Sequence, residues 1–232
     1  MTLNEKLTSL LQAHGANLIG FADVEGLAPD GYKYAVVAAL ALPVAIVEDI
    51  PNGPTPAYHE TYKIYNARLT AMSEAAAALL NGMGYRSLPL CGEHAVWNRE
   101  TDSTPFPYKT SATRAGLGWV GKSALLVTPE YGSAVRLTVT LTDAPIIPNA
   151  PITESRCGAC HACLDACPGK AITGTLWQPG IERAALVDTA LCQKAAGDLA
   201  EQTLGSRNTI CGRCFAACPY TKGYVNRAKA PK

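Results

Sequence analysis

An α+β sheet domain followed by a cysteine-rich module is the fold class predicted by this 232-residue sequence. Three observations lead there. Five stretches have the apolar runs or alternation of strands, with helical segments before and between them on no repeating βαβ schedule. Two segments carry apolar residues at helical spacing. Eight of the nine cysteines fall after residue 150, seven of them in two related motifs. The proline-bearing linker Ala144 to Pro151 marks the expected division into residues 1–150 and 151–232.

The elements follow in order. Thr2 and Glu5 form a capping box, Leu3, Leu7, Leu10 and Leu11 share one helical face, and His14-Gly15 ends that helix. Asn17 to Val24 is a short predicted strand, and Tyr34 to Leu42 a longer buried one ended by Pro43. PNGPTP, Pro51 to Pro56, is a loop. The longest helix is expected from about Tyr58 to Asn81, before Gly82 and Gly84. Tyr62, Tyr65, Leu69, Met72, Leu79 and Leu80 mark its buried side, and an AAAA run permits close packing. Tyr85 to Leu90 predicts another strand, and Ala124–Thr128 with Ala134–Thr142 predict a hairpin around PEYGS.

The cysteines carry the chemistry. CGACHACLDACP, Cys157 to Pro168, has the C-x2-C-x2-C-x3-C-P spacing of bacterial two-cluster ferredoxins. Three thiolates two residues apart let a tight loop cup one [4Fe–4S] cube, while the fourth ligates the other cluster. CGRCFAACP, Cys211 to Pro219, answers it with Cys211, Cys214 and Cys218, and Cys192 is the nearest candidate for an eighth ligand. The crossed assignment is Cys157, Cys160, Cys163 and Cys218 for one cluster, and Cys167, Cys192, Cys211 and Cys214 for the other. Zinc sites favour paired C-x-x-C or mixed Cys and His, and disulfides need an oxidising compartment. His161 is a spacer or a group outside the ligand shell, and Cys91 a small core residue.

Composition bounds the rest. Hydrophobic residues make up 48% of the chain, enough for a sizeable core, and a net charge of +1 argues against an obligate nucleic-acid partner. No export signal is visible, and the longest apolar run, Tyr34 to Val47, contains a proline. A soluble cytoplasmic protein with no membrane partner is expected.

GLGWVGKS, Gly116 to Ser123, satisfies two phosphate-loop patterns, G-x-x-x-x-G-K-S and G-x-G-x-x-G. Both need a buried strand before the loop and a helix after it. The preceding KTSATRA is no buried strand, and the following ALLVTPEYG is extended and stops at Pro129. Asp143, where an acidic ribose ligand would be sought, is reached through a strand and not a βαβ unit. A nucleotide site is not expected.

The blocks AGLGWVGKSALLVTPEYGS, RLTVTLTDAP, CGACHACLDACPGKAI and GSRNTICGRCFAACPYTK resemble the epoxyqueuosine reductase family, whose relatives include the core of reductive dehalogenases. The similarity covers most of Lys33 to Tyr224. It implies a nitroreductase-like domain that binds cobalamin and substrate in residues 1–150, and a ferredoxin-like module with two [4Fe–4S] clusters in residues 151–232. In the family an aspartate thirteen residues before AGLG donates a proton; Asp102 stands there, in DSTPFPYK. The Leu-Glu-Arg usual after it is replaced by Pro107-Tyr108-Lys109, and Tyr108 beside Lys109 suits the tyrosine donor of dehalogenases. Gly116, Gly118 and Gly121 would let backbone approach a corrin edge, and Trp119, Lys122 and Ser123 complete the implied cofactor-binding set. Epoxyqueuosine reductases also carry a C-terminal helical-repeat extension that helps dock tRNA, so the resemblance implies a short form without it.

The expected function is a cobalamin-dependent iron–sulfur reductase supplied by an external low-potential donor of the ferredoxin or flavodoxin type. Clusters pass single electrons, so a two-electron reduction needs an acceptor that stores charge beside the substrate. The only basic run, Arg227, Lys229 and Lys232, is too short to position a folded RNA, which favours a small substrate over tRNA. The alternatives are an electron-transfer protein, or a corrinoid-binding or corrinoid-reducing protein without substrate chemistry of its own.

Overall fold

Local signals start the chain as expected. The Thr2 hydroxyl accepts from the Glu5 amide while the Glu5 carboxylate accepts from the Thr2 amide, opening α1 (Leu3–Ala13) with a complete capping box. The computed structural model describes residues 1–91, 104 and 106–230. They form two compact units, each assembled from three separate segments: residues 1–40, 64–117 and 136–152 in the first, and 41–63, 118–135 and 153–232 in the second. The division differs from a single cut after residue 150, because two earlier segments group with the cysteine motifs.

The first unit is built on a sheet of four strands among the described residues, in the order β1-β2-β6-β3. These are β1 (Leu18–Asp23), β2 (Tyr34–Ala41), β3 (Ser87–Pro89) and β6 (Val135–Thr142). β1 runs antiparallel to β2 with Leu18 opposite Ala39, and β3 antiparallel to β6 with Leu88 opposite Leu141. Pro89, which has no amide proton, is tolerated because β3 is an edge strand. The long helix α3 (Pro56–Gly82) contributes Leu69, Met72, Ala76 and Leu80 to a core shared with Leu7, Leu11, Phe21, Val36, Leu40 and Ile146. The small residues of α3 allow close approach. Ser73 donates to the Val139 carbonyl at 3.0 Å, tying helix to strand. Helix α4 (Tyr108–Arg114) belongs to the same unit.

The second unit is made of short pieces. β4 (Trp119–Val120) and β5 (Leu126–Val127) form a two-stranded hairpin of their own, with Trp119 opposite Val127. This corrects the expected hairpin around PEYGS. That turn is closed only by the Thr128–Gly132 bridge, and β5 and β6 lie in different sheets. The reversal falls one turn earlier, where Ala124 adopts a left-handed conformation (φ 57°). Helix α2 (Val44–Asp49), unheralded in the sequence, follows Pro43. Helices α5 (Ala162–Ala166), α6 (Thr189–Leu204), α7 (Arg213–Ala217) and α8 (Pro219–Lys229) complete the unit. Asp188 caps α6, and Gly205 ends it in the left-handed region. Glu48 of α2 pairs with Lys229 of α8, and the Tyr224 hydroxyl donates to the Leu42 carbonyl at 2.9 Å. Among the described residues no helix is long and apolar enough to cross a membrane.

Candidate cluster-binding site

The two cysteine motifs fold alike. Each opens with loop cysteines (Cys157 and Cys160 in the first, Cys211 in the second), then places one cysteine inside a five-residue helix and one at that helix's C-cap. Cys163 lies in α5 and Cys167 caps it; Cys214 lies in α7 and Cys218 caps it. The prolines explain the endings, since a residue before proline is driven out of the helical region, and Cys167 and Cys218 are both extended. Pro219 then starts α8, where its missing amide costs nothing. Gly212 begins α7 at φ 87°, and a side chain there would meet Ile50. Cys192 sits exposed in the first turn of α6, and no disulfide joins any of the nine cysteines.

Electrostatics groups the thiols. Burial pushes Cys163 up to about 11, helped by the like charges of Cys157, Cys218 and Cys160. Cys218 is raised by burial and by Cys157 and Cys160, against backbone amides of Thr221 and Tyr220 that lower it. Burial also raises Cys214, whose neighbours are Cys211, Cys192, Cys163 and Cys167. Cys211 is raised by burial and by Cys167, while the amide and charge of Arg213 oppose the shift. One neighbourhood is therefore Cys157, Cys160, Cys163 and Cys218, and the other Cys167, Cys192, Cys211 and Cys214. They adjoin through Cys163 and Cys214. Among the described residues no three side chains converge as they would on a single ion. A cube of iron and sulfide is wider than one ion and takes its thiolates further apart, so this donor set fits such a cluster.

The GLGWVGKS segment has an internal role in the cysteine unit from Gly118 onward. A Cβ on Gly118 would lie 2.1 Å from the Val127 carbonyl oxygen, so the glycine is required by the β4–β5 hairpin itself. Trp119 is fully buried, edge-on to Tyr220 at 4.9 Å, with the Arg156 guanidinium over its ring. A Cβ on Gly121 would meet Val127 at 2.8 Å and lie 3.6 Å from the Cys157 sulfur. Lys122 is 8% exposed and donates from Nζ to the Cys160 carbonyl at 2.9 Å, which joins the hairpin to the first cysteine loop. Ser123 is half-buried, and Gly116 belongs to the other unit, under the Ala150 carbonyl.

Asp102 lies outside the described residues. Tyr108 opens α4, and its hydroxyl donates to the Leu90 carbonyl; burial, then the neighbouring Cys91, raises its pKa and keeps the phenol protonated. Cys91 is buried near Ser73 and Thr70, as expected of a core thiol. His161 pairs through Nδ1 with the Asp165 carboxylate at 2.6 Å on an exposed helix turn, facing solvent. The sequence did not single out Arg213 or the burial of Lys122. Their signal was proximity to the cysteines, which is weak because most such residues are solvated.

Comparison with known proteins agrees with this geometry. Residues 156–221 match the 4Fe-4S double cluster binding domain. The epoxyqueuosine reductase of Bacillus subtilis (strain 168) is 41% identical over 115 residues, 48% of this chain and 28% of that protein. The tetrachloroethene reductive dehalogenase of Sulfurospirillum multivorans is 28% identical over 214 residues, 88% of this chain and 38% of that protein. A solved reductive dehalogenase, described with a mechanism for B12-dependent dehalogenation, superimposes with a TM-score of 0.69 at 19% identity over 98% of this chain and 34% of its own. Two solved epoxyqueuosine reductases give TM-scores of 0.60 and 0.61 at 22% identity, over 96% of this chain and 66% of theirs. One holds an epoxyqueuosine-modified tRNA-Tyr stem loop, and the other has an aspartate catalytic loop swung out of the active site. The chain thus spans less than a third of the length of the Bacillus relative. Residues 156–221 are thus a double [4Fe–4S] cluster domain, in a chain similar to epoxyqueuosine reductases and reductive dehalogenases.

Proposed function

We propose that this chain is a cobalamin-dependent iron–sulfur reductase that carries electrons from an external low-potential donor, through two [4Fe–4S] clusters, to a small substrate. The observation that supports it is the grouping of eight thiols into two neighbourhoods of four. In this reading Cys157, Cys160, Cys163 and Cys218 ligate one cluster, and Cys167, Cys192, Cys211 and Cys214 the other. The cluster ligands of the electron-storing module lie in residues 151–232, with segments 41–63 and 118–135 grouped beside them, and the nitroreductase-like substrate domain draws on the rest of residues 1–150.

The protein's own groups do three things. The thiolates hold the clusters, burial around Cys163 and Cys214 limits water, and an acid supplies the proton that balances each electron pair. Asp102 is that acid, by likeness to the aspartate loop described for a solved epoxyqueuosine reductase. Tyr108, protonated and half-buried, is the second choice. A bound corrinoid would supply a cobalt centre that stores two electrons. Because Gly118, Trp119, Gly121 and Lys122 are committed elsewhere, none of them is assigned to it. That commitment favours one second reading, a protein that passes electrons to a corrinoid held by a partner.

Anaerobic reconstitution with iron and sulfide, followed by cobalamin titration, tests both. Retention of cobalamin with a cobalt spectral change on reduction supports the reductase. A visible spectral change without retention supports the carrier, and neither result removes both. Where turnover is found, Asp102→Asn cuts it at least tenfold with clusters intact, and unchanged turnover moves the proton to Tyr108. Sub-micromolar tRNA binding at physiological salt would restore a tRNA substrate.

A further inference from the structure

Lys122 is a buried cation that donates to a peptide carbonyl. Its Nζ donates to Cys160 at 2.9 Å, the residue is 8% exposed, and among the described residues it forms no ion pair. Burying an ammonium costs several kcal/mol unless opposite charge compensates it, and a carbonyl dipole offers only part of that. Cys160 is the second cysteine of the first motif, and Gly121, the residue before the lysine, sits beside the Cys157 sulfur. The other neighbourhood has a counterpart. Arg213 lies between Cys211 and Cys214 in sequence, and its Nε is buried with no hydrogen-bond partner. A buried N–H with no acceptor is rare in folded proteins, and cluster sulfur would provide one.

We infer that Lys122 and Arg213 set the reduction potentials of the two clusters, one each: Lys122 for the cluster on Cys157, Cys160, Cys163 and Cys218, Arg213 for the cluster on Cys167, Cys192, Cys211 and Cys214. The inference rests on the ligand grouping proposed above. Each cluster accepts one electron from the low-potential donor and gives it up unchanged to the next acceptor. The reduced, thiolate-ligated cluster is one charge more negative than the oxidised form. A fixed cation close to the cluster therefore stabilises the reduced form more and raises the potential. Both residues act through the clusters and are positioning residues.

The test is a dithionite-driven potentiometric titration of the reconstituted full chain, followed by electron paramagnetic resonance, with iron counted in parallel. In Lys122→Gln, which keeps a donor for the Cys160 carbonyl without the charge, one cluster's ratio of reduced to oxidised form at fixed potential falls at least tenfold. For a one-electron couple this is a shift of about 59 mV. The second cluster keeps its midpoint. Arg213→Gln shifts the other cluster, and Lys122→Arg restores the original midpoint to within a few-fold. Unmoved midpoints in both Gln variants, or both clusters moving together in either, would overturn the inference. Loss of iron from Lys122→Arg would overturn it too, since the role would then be steric. A failure of the ligand grouping reads differently, as cysteine variants that lose no iron while the lysine shift persists.

Discussion

The two units are stabilised by opposite means. The sheet unit has strands of six and eight residues, a 27-residue helix and a core in which Leu7, Met72 and Leu80 are wholly out of water. The cysteine unit has strands of two residues, two helices of five, and a small cluster around Val120, Ala124, Leu186 and Val187 that includes Cys167 itself. Helices that short do not persist alone. Thiols are the residues brought together there, and burial with like-charge crowding works against their ionised forms. The contrast teaches that the redox unit is not a finished scaffold awaiting its clusters. Iron, by taking the thiolates as ligands, turns their mutual repulsion into a bond network.

Removing the iron should expose this difference most strongly. Stripped anaerobically with a chelator, the cysteine unit stays only marginally folded and its amide exchange across residues 153–232 speeds up strongly, while the sheet unit keeps protection at β1, β2 and residues 64–82 of α3. Structural metal binding is worth about 10 kcal/mol in small domains, enough to decide the outcome. Equal loss in both units would erase the distinction. A smaller effect comes from Cys192→Ala, which should halve the eight irons of a double [4Fe–4S] domain and leave the cluster on Cys157, Cys160 and Cys163 with its paramagnetic signal. Eight irons retained would show that Cys192 is not a ligand.

Iron-free protein should also sharpen the contrast through pH. Cys163 is raised in the fold from an ordinary thiol value of 9.0 to about 11, so the folded state holds this proton more tightly than the unfolded chain. Stability from that difference is complete below pH 9 and is lost as pH climbs towards about 11. Melting temperature of the iron-free chain falls over that window; with clusters bound, where the thiols are already deprotonated, this fall is absent. A flat profile in the iron-free chain would contradict the crowding. The mildest change is Thr2→Ala, which removes one half of the capping box and costs about 1 kcal/mol. It lowers the unfolding midpoint of the sheet unit and leaves iron content and cluster spectra alone.

What the sequence revealed depended on the range of the forces involved. The capping box at Thr2, the long helix and the cysteine spacing are written in neighbouring residues, and a reader recovers them directly. The strand partners are not. PEYGS carries good turn residues, yet the chain folds back one turn earlier, because Gly118 allows β4 to press against the Val127 backbone. That contact lies nine residues away and leaves no local mark. Helix α2 went unnoticed because its six residues are too few to show a period. Lys122 shows the same limit at the site: the motif set it in a cofactor-binding group, and nothing local marked its burial. Its partner is a carbonyl 38 residues downstream.

The threading of the cysteine unit has a consequence for synthesis. The chain passes from one unit to the other after residues 40, 63, 117, 135 and 152. Val47 and Ile50, buried in the finished protein, belong with a C-terminal segment whose Gly212 covers Ile50. At bacterial translation rates of about 5–20 residues per second, they are synthesised roughly eight to thirty seconds before residue 212. During that interval the nascent chain carries an apolar surface without its cover and, later, a first set of thiols without the second. This order of appearance predicts that residues 41–63 stay exposed, and the second cluster unformed, until the segment around Gly212 has been made.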